Sequence, residues 1–174
     1  MRRVEVVPYD ESWPELYERE AAYLQSILQD CIQEIHHIGS TAVPGFFAKP
    51  TIDIMLVAES LHTLDAKEAV MIEAGYKPRG ENGIKNRRFY TKDVDGKRKY
   101  HLHFFEEGSP HIIRHIALRE YLKAHPNARR SYGGLKRSLA WEYPFNMKAY
   151  VEGKHEFVRE LECRAIRWYN QNSK

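Results

Sequence analysis

The sequence predicts an α+β fold: a short mixed β-sheet flanked by helices, with a helical C-terminal extension. Three observations carry this reading. Segments 33–38, 51–58, 88–92 and 98–105 are short, and either alternate or run apolar in the manner of strands. A helical pattern over 61–74 separates the second strand from the last two and reads as a crossover. From about residue 109 onward the spacing is helical throughout. The 174 residues are read as one domain, 1–174, with a sheet-bearing part of about 1–108 and a helical part of about 109–174.

In chain order, Val4 to Tyr9 reads as a short edge strand or an extended arm. Ser12-Trp13-Pro14-Glu15 matches a capping box, and apolar residues from Leu16 to Cys31 recur at helical spacing, so a helix is expected from about Ser12 to Asp30. Two strands follow, then the 61–74 helix, ended by Gly75 at a left-handed position. A short strand is expected near Tyr76. Asp95-Gly96 predicts a tight hairpin turn. Ser109-Pro110 opens a helix reaching about Ala124, Asn127 is expected to cap another reaching about Trp141, and Asn146 caps a short turn. Phe157, Leu161, Ala165 and Trp168 define a final long helix.

Hydrophobic content of 43% and charged content of 29% are those of an ordinary globular chain. Net charge is +3 with a pI near 8.8, which suits a phosphate-bearing ligand but gives no strong nucleic-acid signal. No signal-peptide pattern or apolar run of about 18 residues appears, so the expectation is a cytoplasmic protein without membrane contact. Cys31 and Cys163 are expected as buried, reduced, unlinked thiols.

The stretch Glu34 to Val57, EIHHIGSTAVPGFFAKPTIDIMLV, holds the chemistry. Gly39 can take backbone angles that a Cβ forbids, and Ser40 can cap a helix whose free N–H groups face an anion. Asp53 is the one charge between Thr51 and Val57, and a carboxylate in such a strand needs a partner, a metal or a substrate. His101 and His103 share a strand face, an arrangement that serves a metal, two hydrogen bonds or simply an exposed polar edge. His36 and His37 point to opposite faces, with one expected in the core. His111 and His115 have helical metal spacing but no third ligand, and read as a solvent-facing pair.

The run I38-G39-S40, a spacer and D53-I54-M55-L56 resembles the nucleotidyltransferase-fold signature. The fuller string HIGSTAVPGFFAKPTIDI, with LHFFEEGS, LREYLKAHPNARRSYGGLKRSLA and AYVEGKHEFV, is similar to the GrpB family, which is assigned to that superfamily. The resemblance implies a nucleotidyltransferase-like fold and a metal-dependent transferase acting on or binding a nucleotide or phosphorylated small molecule. It implies Asp53 and His103 as catalytic, Asp53, His101 and His103 as ligands of Mg²⁺ or Mn²⁺, and Gly39, Ser40, Lys49, His101, Arg119, Lys136 and Lys154 as phosphate-binding. Active members carry a second acid where this chain has Met55. That departure implies the alternative, a catalytically inactive nucleotide- or phosphate-binding module. Arg119 beside Glu120 is equally readable as a local ion pair.

Overall fold

The computed structural model describes residues 3–173, which divide into two compact units interleaved along the chain. A sheet unit takes Ser12–Ile38 and Thr51–Ile112, and a helical unit takes the described parts of Met1–Glu11, Gly39–Pro50 and Ile113–Lys174. The architecture is α+β, as the sequence predicts.

In the sheet unit, α1 (Trp13–Leu28) is followed by β1 (Ile32–Ile38) and β2 (Ile52–Ala58). Then come α2 (Leu61–Asp65), α3 (Glu68–Glu73), β3 (Lys77–Pro78), β4 (Arg87–Val94) and β5 (Lys97–Glu106). The sheet order is β1-β2-β5-β4-β3, with β2 and β5 parallel and every other pair antiparallel. β2 lies between two neighbours and is buried from Ile54 to Ala58, which is why it reads as an apolar run rather than an alternation. α1 packs on β1 and β2, burying Leu24 and Leu28. Asp95 and Gly96 both have positive φ, +51° and +72°, which makes the two-residue β4–β5 loop the twisted hairpin turn the Asp-Gly pair predicts.

Several local expectations are corrected. The Ser12 side chain makes no capping hydrogen bond, and α1 stops at Leu28 because Gln29 turns to φ +49°. The 61–74 helix is two short helices: the Lys67 N–H bonds the Leu64 carbonyl three residues back, tightening the chain into a turn. Past α3, Gly75 has φ +89°, and bonds from Gly75 N to Ile72 O and Tyr76 N to Met71 O close the helix end. Neither His36 nor His37 is in the core: His36 bonds Glu34, and His37 stacks on Tyr17 at 4.7 Å. Both cysteines are free, but Cys163 is exposed and Cys31 half-buried.

The helical unit holds most of α4 (Pro110–Ala124), with α5 (Pro126–Glu142) and α6 (Met147–Asn172). The described residues before α1 include an extended arm, joined to the 39–50 loop by reciprocal bonds between Val7 and Ala48 at 2.9 and 3.0 Å. α5 starts at Pro126 rather than after Asn127, since proline at the first turn is already set to the helical φ. The Asn146 side chain accepts from Ala149 N at 3.0 Å, but the helix it caps is long, running unbroken through Gly153. There a Cβ would come within 2.5 Å of Leu139 Cδ2, so the glycine permits close α5–α6 approach. Val43, Phe46, Leu122, Tyr132 and Leu161 form one core cluster of this unit, and Val4, Leu139 and Tyr150 another. Among the described residues, no helix is long and apolar enough to cross a membrane.

Candidate functional site

Register places the chemistry of the sheet unit. Parallel pairing sets Asp53 opposite His101 and Met55 opposite His103, and antiparallel pairing sets Phe89 opposite His103. Paired positions share a face, so β2, β5 and β4 present these side chains together. Asp53 Oδ1 accepts from His103 Nε2 at 3.0 Å, and His101 Nδ1 lies 3.3 Å from the same oxygen. Phe89 lies against both imidazoles, 5.3 Å from His101 and 5.1 Å from His103.

Arg87 braces this cluster. Its Nη1 donates to His103 Nδ1 at 3.3 Å, its Nε to the Glu81 carbonyl at 3.1 Å and its Nη2 to the Asn82 carbonyl at 2.8 Å. A guanidinium can only donate, so His103 Nδ1 carries the lone pair and Nε2 carries the proton given to Asp53. Burial pushes the His103 imidazolium down from its ordinary value, Asp53 works against that, and Arg87 and His101 add to it. His103 is therefore neutral near neutral pH. Burial alone would raise the Asp53 carboxyl, but the hydrogen bonds and charges of His101 and His103 outweigh it and hold the group well below the usual carboxylate range. Asp53 is an ionised acceptor.

This donor set does not fit a divalent ion. Both ring nitrogens of His103 are engaged, one of them by a permanent cation, and both histidines share one carboxylate oxygen. The second-acid position holds Met55, fully buried. Among the described residues, no group of three His, Cys, Asp or Glu side chains is arranged to hold a metal ion. The cluster as it stands is a hydrogen-bonded one.

In the helical unit, Gly39 has the expected positive φ, +73°. Ser40 is the first residue of a single 3-10 turn, Ser40–Ala42, capped by Gly39 without a side-chain bond, which corrects the expectation that Ser40 caps a helix. Ser40 Oγ instead accepts from Lys136 Nζ at 2.9 Å. Lys136 also donates to the Phe47 carbonyl and sits 3.6 Å from the Phe46 ring centre, with 2% of the residue exposed. Lys49 and Lys154 both approach the Tyr150 ring, at 5.6 and 5.1 Å. The Tyr150 hydroxyl is buried and has no hydrogen-bond partner among the described residues, and burial raises it to about 12. Arg119 pairs with Glu120 at 2.7 Å. His111 is half-buried, stacked on Phe105, and His115 contacts Arg114, so neither is the solvent-facing residue expected.

The GrpB protein family pattern matches residues 3–164. The chain belongs to the GrpB family. It is 40% identical over 167 residues to protein YqkA of Bacillus subtilis (strain 168), covering 96% of this chain and 48% of YqkA. The chain thus spans about half the length of that relative. The crystal structure of GrpB from Enterococcus faecalis superposes with a TM-score of 0.90 at 34% identity, covering 95% of this chain and 99% of that one. The Cid1 poly(U) polymerase, solved with MgGTP, gives a TM-score of 0.54 at 12% identity over 76% of this chain and 44% of its own. The GrpB chain therefore has a nucleotidyltransferase-like fold.

Sequence reasoning missed two residues of these clusters. Arg87 alternates with Phe89 and Thr91 along β4, all three buried, so a cation at an inward strand position was a readable signal. Tyr150 carried none, because an orphaned hydroxyl is a property of the packing alone.

Proposed function

We propose that this GrpB chain is a binding module for a nucleotide or other phosphorylated small molecule, without the metal-dependent transfer chemistry of its fold neighbours. One observation carries the reading. Asp53, the carboxylate the fold would give to a metal, is bonded on Oδ1 by His103 Nε2 with His101 Nδ1 3.3 Å away, and Met55 is buried beside it where a second acid is needed. Mg²⁺ demands several hard oxygen ligands, and this cluster offers one carboxylate. Positive charge for phosphates has candidates in Lys49 and Lys154, the two ammonium groups beside Tyr150. Lys136 is engaged with Ser40 and Phe47 and is better read as holding the loop.

The test is a thermal-shift screen of nucleotides in EDTA and in Mn²⁺. A ligand at a hundred times its Kd stabilises the native state by about 2.7 kcal/mol, whether or not it turns over. The expected result is an equal shift in both buffers. A shift that requires Mn²⁺ supports metal-dependent transfer instead, and no shift with any nucleotide overturns the proposal.

A further inference from the structure

Tyr150 sits in the first turn of α6 with no exposure, in an apolar cluster with Val4 and Leu139. Among the described residues, its hydroxyl is the one buried side-chain nitrogen or oxygen without a hydrogen-bond partner. Phenylalanine would fill the same space and spare the fold a desolvated polar group. The hydroxyl is therefore a cost to folding, and its use lies in a partner from outside the chain.

Two cations converge on the same ring. Lys49 Nζ lies 5.6 Å from the ring centre and Lys154 Nζ 5.1 Å, and both lysines are half-buried. Lys49 also meets Met147 Sγ, a weak acceptor, at 3.9 Å. Lys154 follows Tyr150 by four residues on α6, so the helix itself sets the two side by side. All of these residues belong to the helical unit. The cluster opens to solvent through the two lysines and keeps the hydroxyl as its floor. Burial raises the phenol to about 12, so near neutral pH it still has its proton to give. An ammonium group only donates, and neither one donates to this hydroxyl. The set is thus three donors, two of them charged, and its complement is an oxyanion.

We propose that Tyr150 is a further binding residue, its hydroxyl donating to a phosphate oxygen held between the Lys49 and Lys154 ammonium groups. This rests on the phosphorylated-ligand reading above and adds which phosphate is seated there. A terminal phosphate offers three non-bridging oxygens and close to two negative charges, one oxygen for each donor. A bridging phosphate offers only two such oxygens and one charge. The seat takes the terminal one, from a nucleotide or from a free polyphosphate.

The experiment is calorimetric titration in EDTA with the four ribonucleoside triphosphates and inorganic tripolyphosphate, paired with the Tm of each unliganded variant. Tyr150→Phe should keep or raise the wild-type Tm, because it deletes only an unpartnered hydroxyl. It should weaken tripolyphosphate and nucleotide by the same factor, about tenfold, the equivalent of one hydrogen bond to a charged group. Lys154→Met, which leaves the hydroxyl in place, should weaken both probes by about tenfold as well. Tripolyphosphate binding as tightly as the best nucleotide supports the seat with a free polyphosphate as source, and tighter nucleotide binding supports it with a nucleotide. Wild-type affinity in either variant overturns this inference and leaves the reading above standing. A lowered Tm with unchanged affinity in Tyr150→Phe assigns the hydroxyl to an internal water, and a loss confined to nucleotides moves it off the phosphate; each overturns the inference. Failure of every probe to bind the wild type overturns both.

Discussion

Asp53 in the sheet unit and Lys136 in the helical unit are both charges set among apolar neighbours, yet they are satisfied to different degrees. Lys136 is 2% exposed, and its ammonium is engaged with the Ser40 hydroxyl, the Phe47 carbonyl and the face of Phe46. Asp53 keeps an exposed edge and spends one oxygen on two histidines while the other stays open. A buried charge that the protein itself satisfies has a structural use, because water and ligand are both excluded. A charge that the protein satisfies by half has capacity left for something else. Both residues stand in strings that resemble the same family, and only the inventory of their bonds separates them.

The largest expected effect comes from removing that asymmetry at the site. Met55→Asp places a second carboxylate next to Asp53 at a position with no exposure. In EDTA the variant should be less stable by about 3–5 kcal/mol, the usual cost of an uncompensated buried charge. Denaturant titration reads this directly. Recovery of stability with Mn²⁺ would mean the cluster needs only a second acid to become a metal site. Equal stability in both buffers would mean Arg87 and the two histidines already exclude the ion.

Lys136→Met comes next. Methionine keeps much of the stem but leaves the Phe47 carbonyl without its Lys136 bond, so a loss of about 2–3 kcal/mol is expected. Nucleotide affinity measured at a temperature where the variant is folded should change little. A stable variant with weakened binding would reverse the contrast and make Lys136 the ligand-facing charge.

Asp53→Asn tests the other side through pH. The folded carboxyl is held below its ordinary value, so the folded state binds fewer protons than the unfolded chain in acid. That stabilisation is fully present above the unfolded value of about 4 and is lost as pH falls below it. The gap between wild type and variant, about 1–2 kcal/mol near neutral pH, should therefore close as pH drops below about 4. A gap that persists in acid would mean the histidine bonds do not depend on the charge.

What was legible in the sequence was set by local chemistry. The Asp95-Gly96 turn, the Gly75 helix end and the Asn146 cap are each decided by a few neighbouring residues, and each is found where expected. A short mixed sheet follows from alternating or apolar strand segments and one crossover, whereas the order β1-β2-β5-β4-β3 rests on pairings distant in sequence. The continuity of α6 from Met147 was not read, because Asn146 was expected to cap only a short turn; Gly153 sits inside the helix, where Leu139 packs against it. Lys136 follows Tyr132 by four residues and precedes Leu139 by three, both buried. That stripe placed it inward, whereas the resemblance implied a phosphate-binding role. Arg87 reaches His103 sixteen residues on, a pairing that needs the β4–β5 register and could not be read from either strand alone.

The smallest effect belongs to Ser40, where the two regions' logic meets in one side chain. Its Oγ accepts from Lys136 at 2.9 Å, yet a hydroxyl that accepts still has a proton to give. If its use is structural, Ser40→Ala removes one of the bonds to Lys136 while the Phe47 carbonyl keeps another. The cost is then about 1 kcal/mol. If Ser40 also donates to a phosphate, the same substitution weakens nucleotide and tripolyphosphate binding together. Measured in the Lys136→Met background, the structural loss should vanish, because its partner is already gone, whereas a ligand bond should survive. Additive stability losses in the double variant would mean that Ser40 and Lys136 act apart, and that the loop is held by something other than their contact.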